Sequence, residues 1–311
     1  MKYAFVTCCP GSGSTLFSAL LNLHPEVLSL SEVGLAWPAG MRQPLLRAID
    51  GGEVFERNFW LRDASALERD RFRSLAEGGS GSFDLADALV NMSSWGDNDP
   101  GPPGRWPKLF VEKDPVQAHR ISEVAAETRY RPRANAPFAV DQWMMFYLSR
   151  SPYATVNSLL RKHAAHGYRI GVQWGPTDPL AGSAITDETP IVERAVRMWI
   201  ECEKAVALAV AAGHHVVALS YEALVEDPVH FLTAFFAKAG VPWSTERIKQ
   251  ALPAGFVRRD RSSAWEEELN ESVADRIALA EDELEDWTKR ICGTGMALNR
   301  WSSSELQEFA L

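Results

Sequence analysis

Long apolar runs are missing from this sequence, and none is long enough to span a bilayer. Cysteine is scarce, with four in 311 residues. Cys8 and Cys9 are adjacent while Cys202 and Cys292 lie far off, which gives neither a disulfide framework nor a zinc spacing. Positive charge is in deficit: 32 Lys and Arg stand against 41 Asp and Glu, a formal net charge of −9. That balance excludes a general nucleic-acid surface. An anionic ligand must therefore be met by local cations, not by the field of the whole protein. The first expected strand begins at Tyr3 and leaves no room for a signal peptide, so a reducing cytoplasm is the expected compartment. No internal repeat is present. What the chain does have is 46% hydrophobic residues, enough to bury a large core, and it is read as a single domain over 1–311.

The chain is organised around its opening residues. Tyr3 to Cys9 is a short apolar run with β-branched and aromatic residues, stopped at Pro10, and reads as a buried strand. Gly11-Ser12-Gly13-Ser14-Thr15 is small and hydroxyl-rich. Leu16, Ala19, Leu20 and Leu23 then fall on one face at helical spacing. A strand, a glycine loop and a helix suit a phosphate: the backbone approaches the anion, and N–H groups at the helix start point at it. Two common phosphate loops are excluded on named residues. No lysine precedes Ser14 or Thr15, as a G-x-x-x-x-G-K-[ST] loop requires, and Leu16 stands where G-x-G-x-x-G needs its third glycine. An anion loop with Ser12, Ser14 and Thr15 as donors remains, beside the simpler reading of a glycine turn.

Further strands are expected at Lys108 to Val111, Met144 to Leu148 and Val216 to Leu219, with a short extended segment at Glu26 to Leu30. Helices are expected at about Val116 to Glu127, Tyr153 to His163, Ile191 to Ala212 and Pro228 to Ala239, with an acidic helix from Glu266 to Ile291. Residues 34–105 are less regular and read as an insertion over the site, and 168–190 as a long loop or lid. Four apolar strands separated by helices predict an α/β three-layer sandwich with a central parallel sheet. In such sheets ligands sit beyond the carboxyl ends of the strands. The polar clusters Gly11 to Thr15, Glu112-Lys113, Arg150 and Tyr221 all follow strands.

PGSGSTLFSALLNLHPEVLSLSE resembles the phosphosulfate-binding loop of sulfotransferases that use 3′-phosphoadenosine 5′-phosphosulfate (PAPS), of the bacterial and Golgi type. One residue departs: Gly11 stands where that family usually has Lys or Arg. Arg150-Ser151-Pro152 followed by Ser158 is similar to the family's 3′-phosphate site, with Ser151 in place of the usual aspartate. Glu112-Lys113-Asp114-Pro115 looks like its E-K-x-P element, and Tyr221-Glu222 like its Y-E-D-L segment.

The resemblance implies a P-loop-like sulfotransferase fold, PAPS as co-substrate, 3′-phosphoadenosine 5′-phosphate (PAP) as product, and no metal. It places Gly11, Ser12, Gly13, Ser14 and Thr15 at the 5′ end of the donor, Arg150 and Ser158 at the 3′-phosphate, and Tyr221 near the adenine or its phosphate. Lys113 would sit near the sulfonyl group being transferred or the bridging oxygen. Glu32 would be the base that takes the proton of a hydroxyl or amine on a small-molecule or carbohydrate acceptor. A late basic loop, Arg258, Arg259, Arg261, Ser262 and Ser263, would close on the 3′-phosphate end. Blander roles stay open: an ion pair for Lys113, a carbonyl cap for Arg150, a core position for Tyr221, a backbone partner for Glu32. His24 competes with Glu32 as base. A P-loop small-molecule kinase and a non-catalytic nucleotide-binding protein are the alternative functions.

Overall fold

The computed structural model describes residues 2–31, 50–52, 66, 69–70, 73, 108–115, 118, 121–122, 142–168, 170, 188–252 and 263–292. Among the described residues five strands form one sheet: β1 (Lys2–Cys8), β2 (Val27–Ser31), β3 (Leu109–Lys113), β4 (Gln142–Ser149) and β5 (Val216–Ser220). Their order is β2-β3-β1-β4-β5 and every pairing is parallel. The four apolar runs are all strands. The fifth strand is the segment read as merely extended. Its half-polar sequence VLSLS suits the end of the described sheet. Ser29 is buried there, with its hydroxyl 2.8 Å from that of Ser18 and its backbone held on both sides by Asn22.

Side chains of successive strand residues point to opposite faces, so the sheet has two covers. Ala4, Val6, Phe146 and Leu148 face α1 (Ser14–Leu21), through Phe17, Leu20 and Leu21. On the same face Phe17 meets Phe231 and Phe235 edge-on, at 5.8 and 5.1 Å between ring centroids. The next covering helices are α2 (Pro152–His166) and α3 (Ile191–Ala211). Tyr147 points the opposite way from Phe146 and reaches α3, where its hydroxyl donates to Glu203 at 2.6 Å. After β5 come α4 (Tyr221–Glu226), α5 (Pro228–Lys238), α6 (Thr245–Ala251), α7 (Trp265–Glu268) and α8 (Glu271–Cys292). Ser220, Asp227 and Ser244 cap α4, α5 and α6 by accepting backbone N–H groups.

The acidic segment expected as one helix is two. It breaks at Leu269 and restarts where the Asn270 side chain accepts from Val273 N–H. Val273, Ile277, Ala280 and Leu284 are buried along one face of α8, which packs on α3. Most of the helix expected near Val116 to Glu127, and most of the 34–105 and 168–190 segments, lie outside the described residues. No helix among the described residues is long and apolar enough to cross a membrane. Cys8, Cys9 and Cys202 are buried, and none of the three is in a disulfide.

Burial pushes the Glu203 carboxyl up from its ordinary 4.5 to about 7, with the Tyr147 hydrogen bond pulling the other way. Between those values the folded protein keeps a proton that the unfolded chain has released. The contribution to stability is therefore full below pH 4.5 and is lost as pH rises through about 7. Glu203→Gln keeps an acceptor for Tyr147 without the titration. It is expected to remove a decline on the order of 1–3 kcal/mol across that window. Urea unfolding of both proteins at the two ends of the window checks this; parallel pH profiles would refute it.

Candidate functional site

The strand order places the candidate site. The chain leaves β1 toward β2 on one side and leaves β4 toward β5 on the other, so the carboxyl ends of β1 and β4 flank the point where the winding reverses. The two strands end in step, with Cys8 opposite Leu148. The residues that follow β1 are Gly11 to Thr15, and the residue that follows β4 is Arg150.

Gly13 is the N-cap of α1 at φ 83°, with no side-chain cap and no acidic residue in the first turn. The opening N–H groups are thus presented to whatever lies before the helix. Ser12 and Ser14 are buried and Thr15 is exposed. A Cβ at Gly13 would overlap the Tyr221 ring. Gly11 has φ 97°, and a Cβ there would lie 3.2 Å from Thr155 O and 3.4 Å from Ser158 Cβ. The loop therefore rests on α2 at Ser158 and on Tyr221, and its two glycines are what let it do so.

Arg150, 9% exposed, donates from Nη1 to Gly11 O at 2.9 Å. Its Cζ stands 4.4 Å from the Tyr221 ring centroid. The opening loop, Arg150, Ser158 and Tyr221 are one cluster, although they come from four separate elements. A guanidinium carries five N–H donors in a planar fork, a geometry that suits a phosphate as well as a carbonyl.

The departure at Gly11 follows from this geometry. A lysine there would need positive φ and would press on α2. Gly11→Lys is expected to lower unfolding free energy by about 1–2 kcal/mol and to leave any transfer activity no higher. Denaturant unfolding checks it; unchanged stability would show that the loop relaxes freely.

Lys113 is the last residue of β3, not one past it, and is 1% exposed. Its register partner is Val6 on β1 and Ser31 on β2. Partners in register share a face, so the lysine lies on the face of α1. Thr7 fixes the chain just beyond it, by donating its hydroxyl to Asp114 O at 2.8 Å, while Asp114 N–H donates to Val6 O at 2.9 Å.

His24 sits at the opposite end of the sheet, in the turn that enters β2. Its ring lies between Phe236 and Trp243, at 4.7 and 4.8 Å between centroids, and Nδ1 accepts from Glu26 N–H. Burial lowers its pKa, which favours the neutral imidazole. It is a core histidine at the other edge of the sheet from the loop.

Glu32, Arg258, Arg259, Arg261 and Ser262 lie outside the described residues. Glu32 directly follows Ser31, the residue paired with Lys113. Ser263 is exposed, and the helix just after it is tied to α2: Trp265 stacks near Tyr153 at 4.5 Å, and Glu268 accepts from Asn157 at 2.7 Å. Sequence reasoning gave no role to Glu222. Its carboxylate accepts the Ser151 N–H at 2.9 Å and the Ser220 hydroxyl at 3.3 Å. It thus supplies at the start of α2 a carboxylate that Ser151 lacks. Its position beside Tyr221 in a motif was the available signal.

The sequence matches no protein-family model and no curated protein. Solved structures do resemble it. A sulfotransferase domain from the Synechococcus PCC 7002 olefin synthase aligns over 91% of this chain and 93% of its own, with a TM-score of 0.55 and 18% identity. A sulfotransferase domain from the curacin biosynthetic pathway aligns over 98% and 99%, with a TM-score of 0.55 and 19% identity. The chain has the α/β fold of these domains, a parallel sheet covered on both faces, as the sequence led one to expect.

Proposed function

We propose that the protein is a PAPS-dependent sulfotransferase that moves a sulfonyl group to a hydroxyl or amine of a small-molecule or carbohydrate acceptor. The observation that carries this is the 2.9 Å bond from Arg150 to Gly11 O, because it joins at one switch point the two segments read as holding the two ends of an anionic donor. A donor with a phosphosulfate at one end and a phosphate monoester at the other needs two such clusters close together. The glycines at positive φ, the helix start without an acidic residue and the nearby guanidinium fit an anionic donor.

In this reading the loop N–H groups and hydroxyls, from Gly11 to Thr15, hold the 5′ end, while Arg150 and Ser158 hold the 3′-phosphate. Glu32 takes the proton as the acceptor oxygen or nitrogen forms its bond to sulfur. The bond from sulfur to the 5′-phosphate oxygen breaks in the same displacement, and Lys113 meets the negative charge that builds on that oxygen. PAP leaves. The neighbours' settings, an olefin synthase and a biosynthetic pathway, favour a small biosynthetic intermediate as acceptor.

The test is transfer from sulfur-labelled PAPS to a panel of alcohols, phenols, amines and sugars. Labelled product with release of PAP is the expected result. Magnesium-dependent phosphate transfer from ATP would replace this reading with a kinase. Tight PAP binding without transfer to any acceptor would replace it with a nucleotide-binding protein.

A further inference from the structure

The ring of Tyr221 has an unusual position. Its edge occupies the space that a Cβ would need at Gly13, and its face lies under the Arg150 guanidinium, 4.4 Å from Cζ. Arg150 in turn donates to Gly11 O. Loop, arginine and ring close a circuit in which each member rests on the other two. The ring is only 7% exposed and belongs to the same core cluster as Phe17 and Leu224. Its backbone is fixed as the first residue of α4, behind the Ser220 cap. Next to it Glu222 pins the Ser151 N–H, so the start of α2 is held by the same short segment.

We infer that Tyr221 is a positioning residue that couples the two anion clusters, so that occupying one prepares the other. This rests on the donor reading above. The buried ring acts through Arg150 and Gly13, by its shape and its π-face rather than through its hydroxyl. A phosphate held by Arg150 fixes the guanidinium over the ring. The fixed ring then holds Gly13 and the opening N–H groups of α1 in place. An anion at the loop does the same in reverse, because coupling between sites is reciprocal.

Calorimetric titration with PAP, adenosine 5′-monophosphate and adenosine 3′-monophosphate tests this on the whole chain. Tyr221→Leu is expected to weaken PAP and both monophosphates, each by about tenfold, the scale of a cation–π contact between partly buried groups. Tyr221→Phe is expected to restore most of that loss, since the ring is kept. Gly13→Ala, which pushes the ring away from the loop, is expected to weaken the 3′-monophosphate as well as the 5′. In a Tyr221→Leu background the same Gly13→Ala change should cost less, because the overlap is gone. Thermal unfolding of each variant accompanies the titrations. If Tyr221→Leu does not fold, the Gly13→Ala effect on the 3′-monophosphate decides. The inference is overturned if Tyr221→Phe binds as poorly as Tyr221→Leu, or if either change weakens one monophosphate only. If the unaltered protein binds none of the three nucleotides, the donor reading itself fails and takes the inference with it.

Discussion

Arg150→Ala is expected to lower affinity for PAP by about thirtyfold to a few thousandfold, corresponding to the roughly 2–5 kcal/mol lost when one partner of a desolvated charge-assisted bond is truncated. Three interactions go together. In the proposed reading the phosphate monoester loses its guanidinium. Gly11 O loses the donor 2.9 Å away and is left in a buried loop. The Tyr221 ring loses the cation over its face. The last two are already made without ligand, so the variant should also unfold more easily, by about 1–2 kcal/mol. Arg150→Lys separates charge from shape. A lysine keeps the charge but not the planar fork that spans a carbonyl and a phosphate, so it should recover only part of the affinity. Calorimetric titration with PAP, alongside denaturant unfolding, reads both effects. Affinity within about threefold of the unaltered protein, less than 1 kcal/mol on the usual scale, would place the 3′-phosphate elsewhere.

Glu32→Gln is expected to cut turnover with PAPS by about a hundredfold to ten-thousandfold, the usual worth of a general base, while affinity for PAP stays nearly unchanged. Glutamine has the shape of glutamate but no proton-accepting charge. The loss should therefore appear in kcat and not in nucleotide binding. Two observations favour this residue. The chain reaches it directly from Ser31, which is paired with Lys113 at the carboxyl edge of the sheet. The rival histidine is at the other edge, between Phe236 and Trp243. Single-turnover transfer from labelled PAPS, once an acceptor is in hand, measures it. Full turnover in Glu32→Gln would remove the glutamate from the reaction.

Lys113, Gly11 and Glu222 show how far the linear chain can be read. The residue types at Lys113 and its place after an apolar run were legible. Its burial, and the face it shares with α1, came from pairing with Val6 more than a hundred positions earlier in the chain. Gly11 read as a defect in a basic motif. Only the packing of its backbone on Thr155 and Ser158 shows why a side chain does not suit that position. Glu222 was visible as half of a dipeptide, and its bond to Ser151 joins two segments distant along the chain.

Local pattern determined the elements, because strand and helix periodicity, glycine stops and Ser or Asp caps act over a few residues. The apolar runs became strands, the glycines became the loop, and the polar clusters stood at strand ends. The half-polar β2 was under-read because an end strand carries a weaker apolar signal, and the break at Leu269 because a helical pattern on both sides conceals it. Tertiary structure alone decided the strand order β2-β3-β1-β4-β5, and hence that the first loop and Arg150 meet. It also decided that His24 belongs to the core. Strand order is set by which apolar faces bury one another across long separations, and no window of local sequence contains that balance.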